Sequence, residues 1–189
     1  MKQPPYILSI CGKHEVDRFA AEGVTHLLSL EDPGTAKSTP AWFSGPHVQL
    51  HLHDLDTPQE AATLRGVLPS RDHVLEILKV GAACLEASSS SSTRVHLLVH
   101  CYAGISRSTA AAYVVTTQAL GVENAPEALA FVLRSRPEAF PNQLIVRHAD
   151  RILQGQGRLL AALQPLREQF SRAIEDWIAR SNDEPAGGP

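Results

Sequence analysis

Residues 100–110, His-Cys-Tyr-Ala-Gly-Ile-Ser-Arg-Ser-Thr-Ala, put a cysteine, a glycine and an arginine where one loop can gather them around a single tetrahedral anion. Before the loop, Val95, Leu97 and Val99 alternate with His96, Leu98 and His100, the composition of a strand buried on both faces. After it, Ser108 to Leu120 is rich in Ala, Val and Leu, lacks Gly and Pro, and meets Gly121, which predicts a helix and its stop. At a strand end that opens a helix, unpaired backbone N–H groups and the positive end of the helix dipole favour an anion. The field that holds a phosphate also stabilises a thiolate, here at Cys101. Arg107 offers a planar fork of donors that suits two phosphate oxygens at once, and Gly104 permits close backbone approach or positive φ. A thiolate, a ring of N–H groups and a bidentate arginine imply phosphoryl transfer to sulfur, and the leaving oxygen then needs a proton.

The run His-Cys-x-x-Gly-x-x-Arg-Ser resembles the signature of the cysteine-dependent protein tyrosine phosphatase superfamily. The wider run through Ala112 resembles its short bacterial branch, related to dual-specificity phosphatases. Leu133-Arg134, Arg136-Pro137 and Ala139-Phe140-Pro141-Asn142 resemble the segment that follows the signature helix in that branch, and His51-Leu52-His53-Asp54-Leu55 resembles the strand end that carries its acidic loop. The resemblance implies hydrolysis of a phosphomonoester through a cysteinyl-phosphate. Phosphotyrosine in a protein or peptide is then the leading substrate, with phosphoserine and phosphothreonine as further options, and no cofactor is needed. Cys101 is the implied nucleophile, and Arg107 with the backbone of Tyr102, Ala103, Gly104, Ile105 and Ser106 is the implied phosphate cradle. Those loop side chains add no positive charge for further phosphates, which disfavours inositol phosphates.

The family draws its general acid from a separate loop. Val48, Leu50 and Leu52 alternate with Gln49, His51 and His53 and run into Asp54-Leu55-Asp56-Thr57-Pro58. Asp54, the first acid past the strand, is the residue that aligns, with Asp56 as the alternative; the plainer reading is that both only solvate the turn. Ser108 either assists departure of the Cys101 thiolate, as the resemblance implies, or serves as a helix-start serine. His100 faces away from Cys101 by strand alternation and is read as a support for the loop. Asn142, in a Pro-Asn pair that the family also shows, either fixes a neighbouring loop or forms a turn.

Strands are expected at Tyr6–Ile10, Val24–Leu30, Val48–Leu55 and Arg94–His100, with helices at Lys13–Glu22, Ser70–Glu86, Ala125–Ser135 and Gln143–Leu153. This alternation predicts a single α/β domain with a central, mainly parallel sheet of four to five strands flanked by helices, similar to dual-specificity phosphatases. Its ligand site belongs at the carboxyl ends of the strands, where Asp54 and Cys101 both fall. Glu31 to Pro46 reads as a loop in which Trp42 and Phe43 either line the site or anchor the loop, and Ser88 to Ser92 reads as a flexible connection. In the last long segment, Gly157–Arg180, Leu159, Leu163, Leu166, Phe170, Ile174 and Trp177 fall on one helix face, expected to pack back on a domain spanning residues 1–180 rather than to form a dimer. Pro165 is placed to kink that helix, and residues 181–189 read as a disordered tail.

The 189 residues, 43% hydrophobic and 20% charged, suit one globular domain. A formal charge of −3 with no basic block argues against nucleic acid or an acidic membrane as the main partner. The apolar stretch Ile7–Ile10 is too short for a signal or membrane segment, so a cytoplasmic location is expected. Cys11, Cys84 and Cys101 are far apart and fit reduced thiols, Cys84 as a core residue and Cys11 as an inert thiol or a disulfide trap for oxidised Cys101. His47, His51 and His53 lack a complete set of companion ligands, and the cysteine chemistry requires no metal. A phosphate-binding adaptor without turnover, a phosphatase of a non-protein phosphomonoester and a sulfur-transfer enzyme remain as alternatives to a protein phosphatase.

Overall fold

The computed structural model describes residues 2–90 and 94–183, with side chains as far as Arg180. Four strands, β1 (Ile7–Gly12), β2 (His26–Glu31), β3 (His47–His51) and β4 (His96–Cys101), form one sheet in the order β1-β4-β2-β3, with every pair parallel. Gly12 lies beside Cys101 and Ser29 beside His100, so three strand ends converge where the chain turns into residues 101–107.

β4 is buried along its whole length, which explains its unbroken run of apolar and histidine residues. Leu97 and Val99 point into the larger core with Leu8, Ile10, Leu28, Leu30, Ile77, Tyr113, Ile145 and Leu159. Each such side chain contributes roughly 1.5–3 kcal/mol by leaving water. On the other face, Leu98 packs with Cys11, Val16, Leu27 and Phe43. The histidines on that face are buried or half-buried and hydrogen-bonded: His96 Nε2 lies 2.8 Å from Ser9 Oγ, while Ser29 Oγ lies 2.6 Å from His100 Nε2 and 2.8 Å from His47 Nε2.

The helices are α1 (Pro58–Leu64), α2 (Arg71–Ser90), α3 (Arg107–Leu120), α4 (Ala125–Ser135), α5 (Gln143–Ile152) and α6 (Arg158–Asp183). α3 carries Cys101's loop into the core and is buried from Arg107 through Thr117, packed among α2, α4, α5 and the sheet. A helix surrounded in this way needs small and apolar residues on every face, which is what its Ala- and Val-rich sequence supplies.

Several expectations are corrected. Lys13–Glu22 is not an α-helix but a 3₁₀ segment over Lys13–Phe19, held at its start by Gly12 N donating to the Glu15 carboxylate at 2.6 Å, with only Val16 buried. β3 ends at His51, short of the expected Leu55, because β2 ends at Glu31; the last rung is Leu52 N donating to Glu31 O at 3.0 Å. Ser88, Ser89 and Ser90 continue α2, each hydroxyl donating to the carbonyl four residues back, while Ser91 and Ser92 lie outside the described residues. α6 is continuous through Pro165, and its apolar face is fully buried only in its first turns: Leu159 and Leu163 are buried, whereas Phe170, Ile174 and Ile178 are 49%, 42% and 47% exposed. Its backbone continues to Asp183, into the stretch expected to be disordered; residues 184–189 lie outside the described residues.

Candidate active site

Residues 101–107 curl at the end of β4, and Gly104 makes the curl possible. Its φ is +75°, and a Cβ there would sit 2.5 Å from the Cys11 carbonyl carbon and the Gly12 nitrogen. Both the positive φ and the contact with β1 therefore require glycine. The curl turns the Gly104 N–H toward Cys101 Sγ at 3.3 Å, and Ser108 Oγ, fully buried in the first turn of α3, lies 3.2 Å from the same sulfur. A backbone N–H and a hydroxyl thus converge on the Cys101 sulfur at the start of a helix whose dipole favours negative charge.

Arg107 returns toward the loop from α3 with its side chain 6% exposed. Nη1 donates to Asp32 Oδ1 at 2.6 Å and to Leu52 O at 2.8 Å, which fixes the plane of the guanidinium. Nε is buried and has no hydrogen-bond partner among the described residues. Asp32, just past the end of β2, was not singled out from sequence; an acid at a strand end beside the site was the available signal.

Asp54 and Asp56 have different surroundings. Asp54 is exposed, and its Oδ1 accepts from Ser106 Oγ at 2.6 Å and from Asn142 Nδ2 at 2.9 Å, so it lies across the 101–107 loop. Asp56 turns away: Oδ1 accepts from Leu144 N at 3.1 Å at the start of α5, and Oδ2 is 3.5 Å from the Arg167 guanidinium. Asn142 does more than turn the chain. Its amide also donates to Leu55 O at 3.2 Å, its backbone N–H donates to Ser106 O at 3.3 Å, and its Oδ1 caps α5 by accepting from Ile145 N at 3.0 Å. One residue thereby ties the Asp54 loop, the 101–107 loop and α5 together.

The loop is braced on its other side by Arg136, which pairs with Glu15 at 3.0 Å and donates to Ala103 O at 3.3 Å. The bond from Gly12 N and then the Arg136 guanidinium hold the Glu15 carboxyl below the usual range. Tyr102 is 61% exposed and meets the His14 ring edge-on at 6.0 Å, forming part of the rim. His100 is buried behind the loop, and burial lowers its imidazole from the ordinary value. Through Ser29 it connects to His47, whose Nδ1 lies 2.8 Å from Thr39 Oγ1 in the loop after β2. Trp42 anchors that loop, its indole donating to Asp17 at 2.9 Å and its ring packing edge-on against Phe43, and it also lines a cleft of about 570 Å³ with Lys13, Glu31 and His100. Burial pushes the Cys11 and Cys84 thiols up to about 12, so neither is a ready thiolate. His53 Nδ1 accepts from Val67 N at 2.8 Å, and among the described residues no group of three or more His, Cys, Asp or Glu is arranged to hold a metal. Nor, among them, is any helix long and apolar enough to cross a membrane.

The four-stranded parallel sheet with its flanking helices is the fold of tyrosine and dual-specificity phosphatases of known structure. DUSP15 superposes with a TM-score of 0.56 at 18% identity, covering 87% of this chain and 94% of that one. The Yvh1 phosphatase domain from Chaetomium thermophilum gives 0.55 at 21% identity, covering 79% and 90%. A human tyrosine phosphatase-like serine/threonine/tyrosine-interacting protein gives 0.56 at 18% identity, covering 79% and 93%. No protein-family model and no curated protein matches the sequence.

Proposed function

We propose that this protein hydrolyses phosphomonoesters through a cysteinyl-phosphate, with phosphotyrosine in proteins as the leading substrate and phosphoserine or phosphothreonine also accepted. The observation that carries this reading is the convergence on Cys101 Sγ of Gly104 N and Ser108 Oγ, with Arg107 locked behind the loop and Asp54 held across it.

A phosphate in the loop takes hydrogen bonds from its backbone N–H groups and from Arg107 Nε. The Cys101 thiolate attacks phosphorus in line with the leaving oxygen. The S–P bond forms as the P–O bond breaks, and protonated Asp54 gives its proton to the departing oxygen. Water then attacks the cysteinyl-phosphate and loses a proton to the Asp54 carboxylate; the S–P bond breaks and Ser108 donates a hydrogen bond to the returning thiolate. Ser106 and Asn142 hold the Asp54 carboxyl over the loop through both halves of the cycle.

The test is release of phosphate from a generic aryl phosphate and from a phosphopeptide panel by the wild type and by Cys101→Ser. Turnover by the wild type alone, with phosphotyrosine peptides preferred, supports the proposal. Equal, negligible release from both proteins with phosphopeptide binding retained would make the protein a phosphate-binding adaptor. Preference for a small-molecule phosphate would move the substrate out of the protein class.

A further inference from the structure

Beside the phosphate loop lies an apolar groove of about 760 Å³ between Ile105, residues 137–140 and the middle of α6. Ile105 forms one wall, Phe140 the floor and Phe170 the opposite wall. We propose that this groove is a specificity subsite for a bulky apolar side chain adjacent to the phosphorylated residue of a peptide substrate. The proposal rests on the phosphatase reading above.

Continuity with the catalytic loop assigns the occupant. Ile105 belongs to the phosphate cradle, is 38% exposed and lines the groove, so a side chain flanking a bound phosphoresidue is within reach of it. The walls are preformed. Phe140 N donates to Ile105 O at 2.9 Å, which fixes the floor to the loop; the Phe140 ring lies 4.6 Å from that of Phe170; and the Arg167 guanidinium sits 5.0 Å from the Phe140 centroid while pairing with Asp56 at 3.5 Å. These contacts hold α6 against the loop that carries Asp54, so the groove and the acid share one scaffold. A pocket built this way does not have to be ordered by each ligand, which favours discrimination between side chains.

The lining sets the chemistry. Leu133, Leu166 and Ala173 complete an apolar surface whose single charged lining residue is Glu138. Glu138 Oε2 lies 3.6 Å from Arg136 Nε and the Arg167 guanidinium covers the Phe140 ring, so the rim pairs charges of both signs, and the apolar lining, continuous with the loop at Ile105, favours an apolar peptide side chain. Among the described residues, Gln169 and Glu138 are the only polar side chains in the lining, so a polar flanking side chain would lose more water than it regains there, whereas Leu, Met or Phe would gain burial.

The test compares kcat/KM for matched phosphotyrosine peptides carrying Leu or Asn beside the phosphoresidue, using the wild type, Phe170→Ser and Ala173→Glu. Both substituted positions are exposed on α6, outside the 101–107 loop. The wild type is expected to prefer the Leu peptide by roughly tenfold, both variants to lose most of that preference, and Ala173→Glu, which touches none of the ring or ion-pair contacts, to hydrolyse an aryl phosphate as the wild type does. Ala173→Glu should also gain activity on a peptide with Lys at the flanking position, a gain that a merely structural role would not produce. Equal wild-type turnover of the Leu and Asn peptides, with aryl phosphate turnover intact, would overturn the subsite and leave the phosphatase reading standing. If aryl phosphate is not hydrolysed at all, the phosphatase reading fails separately, and the same peptides are titrated against Cys101→Ser. Equal affinity for Leu and Asn peptides in that titration would overturn the subsite, as would finding that Phe170→Ser abolishes only vesicle binding or self-association.

Discussion

Ser106 Oγ donates to Asp54 Oδ1 at 2.6 Å, joining the phosphate loop directly to the loop that follows β3. Asp56, two residues on, is instead bound to the start of α5 and to Arg167 on α6. The two acids therefore have separate tasks, and their substitutions should be separable. Asp54→Asn is expected to lower kcat by about a hundredfold on substrates with poor leaving groups and to remove the basic limb of the pH–rate profile. Asp56→Asn should keep that limb and cost about 0.5–1 kcal/mol of stability, since its ion pair is partly solvated. pH–rate profiles of both variants check this, and a lost limb in Asp56→Asn alone would reassign the acid.

Asp32 and Leu52 O together fix the Arg107 guanidinium. Asp32→Ala should leave Arg107 charged but free to tilt, lowering kcat/KM for an aryl phosphate by about tenfold, with Asp32→Glu recovering part of the loss. Steady-state kinetics on the three proteins measure this. An unchanged Asp32→Ala would show that Leu52 O alone suffices.

Gly104→Ala should be severe for a reason independent of charge. The added Cβ meets the backbone of Cys11 and Gly12 at a residue held at φ +75°. The loop must shift, with a stability cost of about 1–3 kcal/mol and loss of phosphate binding. Thermal denaturation with and without phosphate tests both parts: the variant should melt lower and show no phosphate-induced rise in Tm.

How much of this was legible in the sequence differs from element to element. β4, its loop and α3 were readable because a fully buried strand and helix leave a largely apolar record, in which Cys101, Arg107 and Ser108 stand out at the turn between them. α1 escaped notice because it buries no residue and so shows no apolar period; its signal was the Thr57–Glu60 capping box with Pro58 in the first turn. Asp32 and the groove under α6 escaped for another reason. Each depends on the approach of segments far apart in the chain, and local pattern carries no trace of such contacts. The stripe on α6 misled because its period is uniform while its burial is not: the core ends at Leu163 and the apolar face continues.

Acid should destabilise the protein through its neutral histidines. Burial, the largest cause, lowers His47 to about 4 in the folded state against an unfolded value of 6.5. The unfolded chain therefore takes up a proton first as pH falls. The stability of the neutral, hydrogen-bonded His47 is complete above pH 6.5 and is lost progressively from there toward about 4. His47→Gln should flatten part of this loss, by on the order of 1 kcal/mol at pH 5 after solvent screening is allowed for. Denaturant midpoints of the two proteins at pH 7 and 5 provide the comparison, and parallel declines would contradict the assignment.

The phosphoryl group itself gives the most direct test of the cysteinyl-phosphate. Ser108 Oγ lies 3.2 Å from Cys101 Sγ, so Ser108→Ala should slow release of the thiolate more than its attack and let the intermediate accumulate. Rapid acid quench during aryl phosphate turnover, followed by peptide mass analysis, should find one phosphoryl group on Cys101 in Ser108→Ala and none in Cys101→Ser. Phosphate release by Cys101→Ser at the wild-type rate, with no phosphorylated Cys101 at any quench time, would contradict the account.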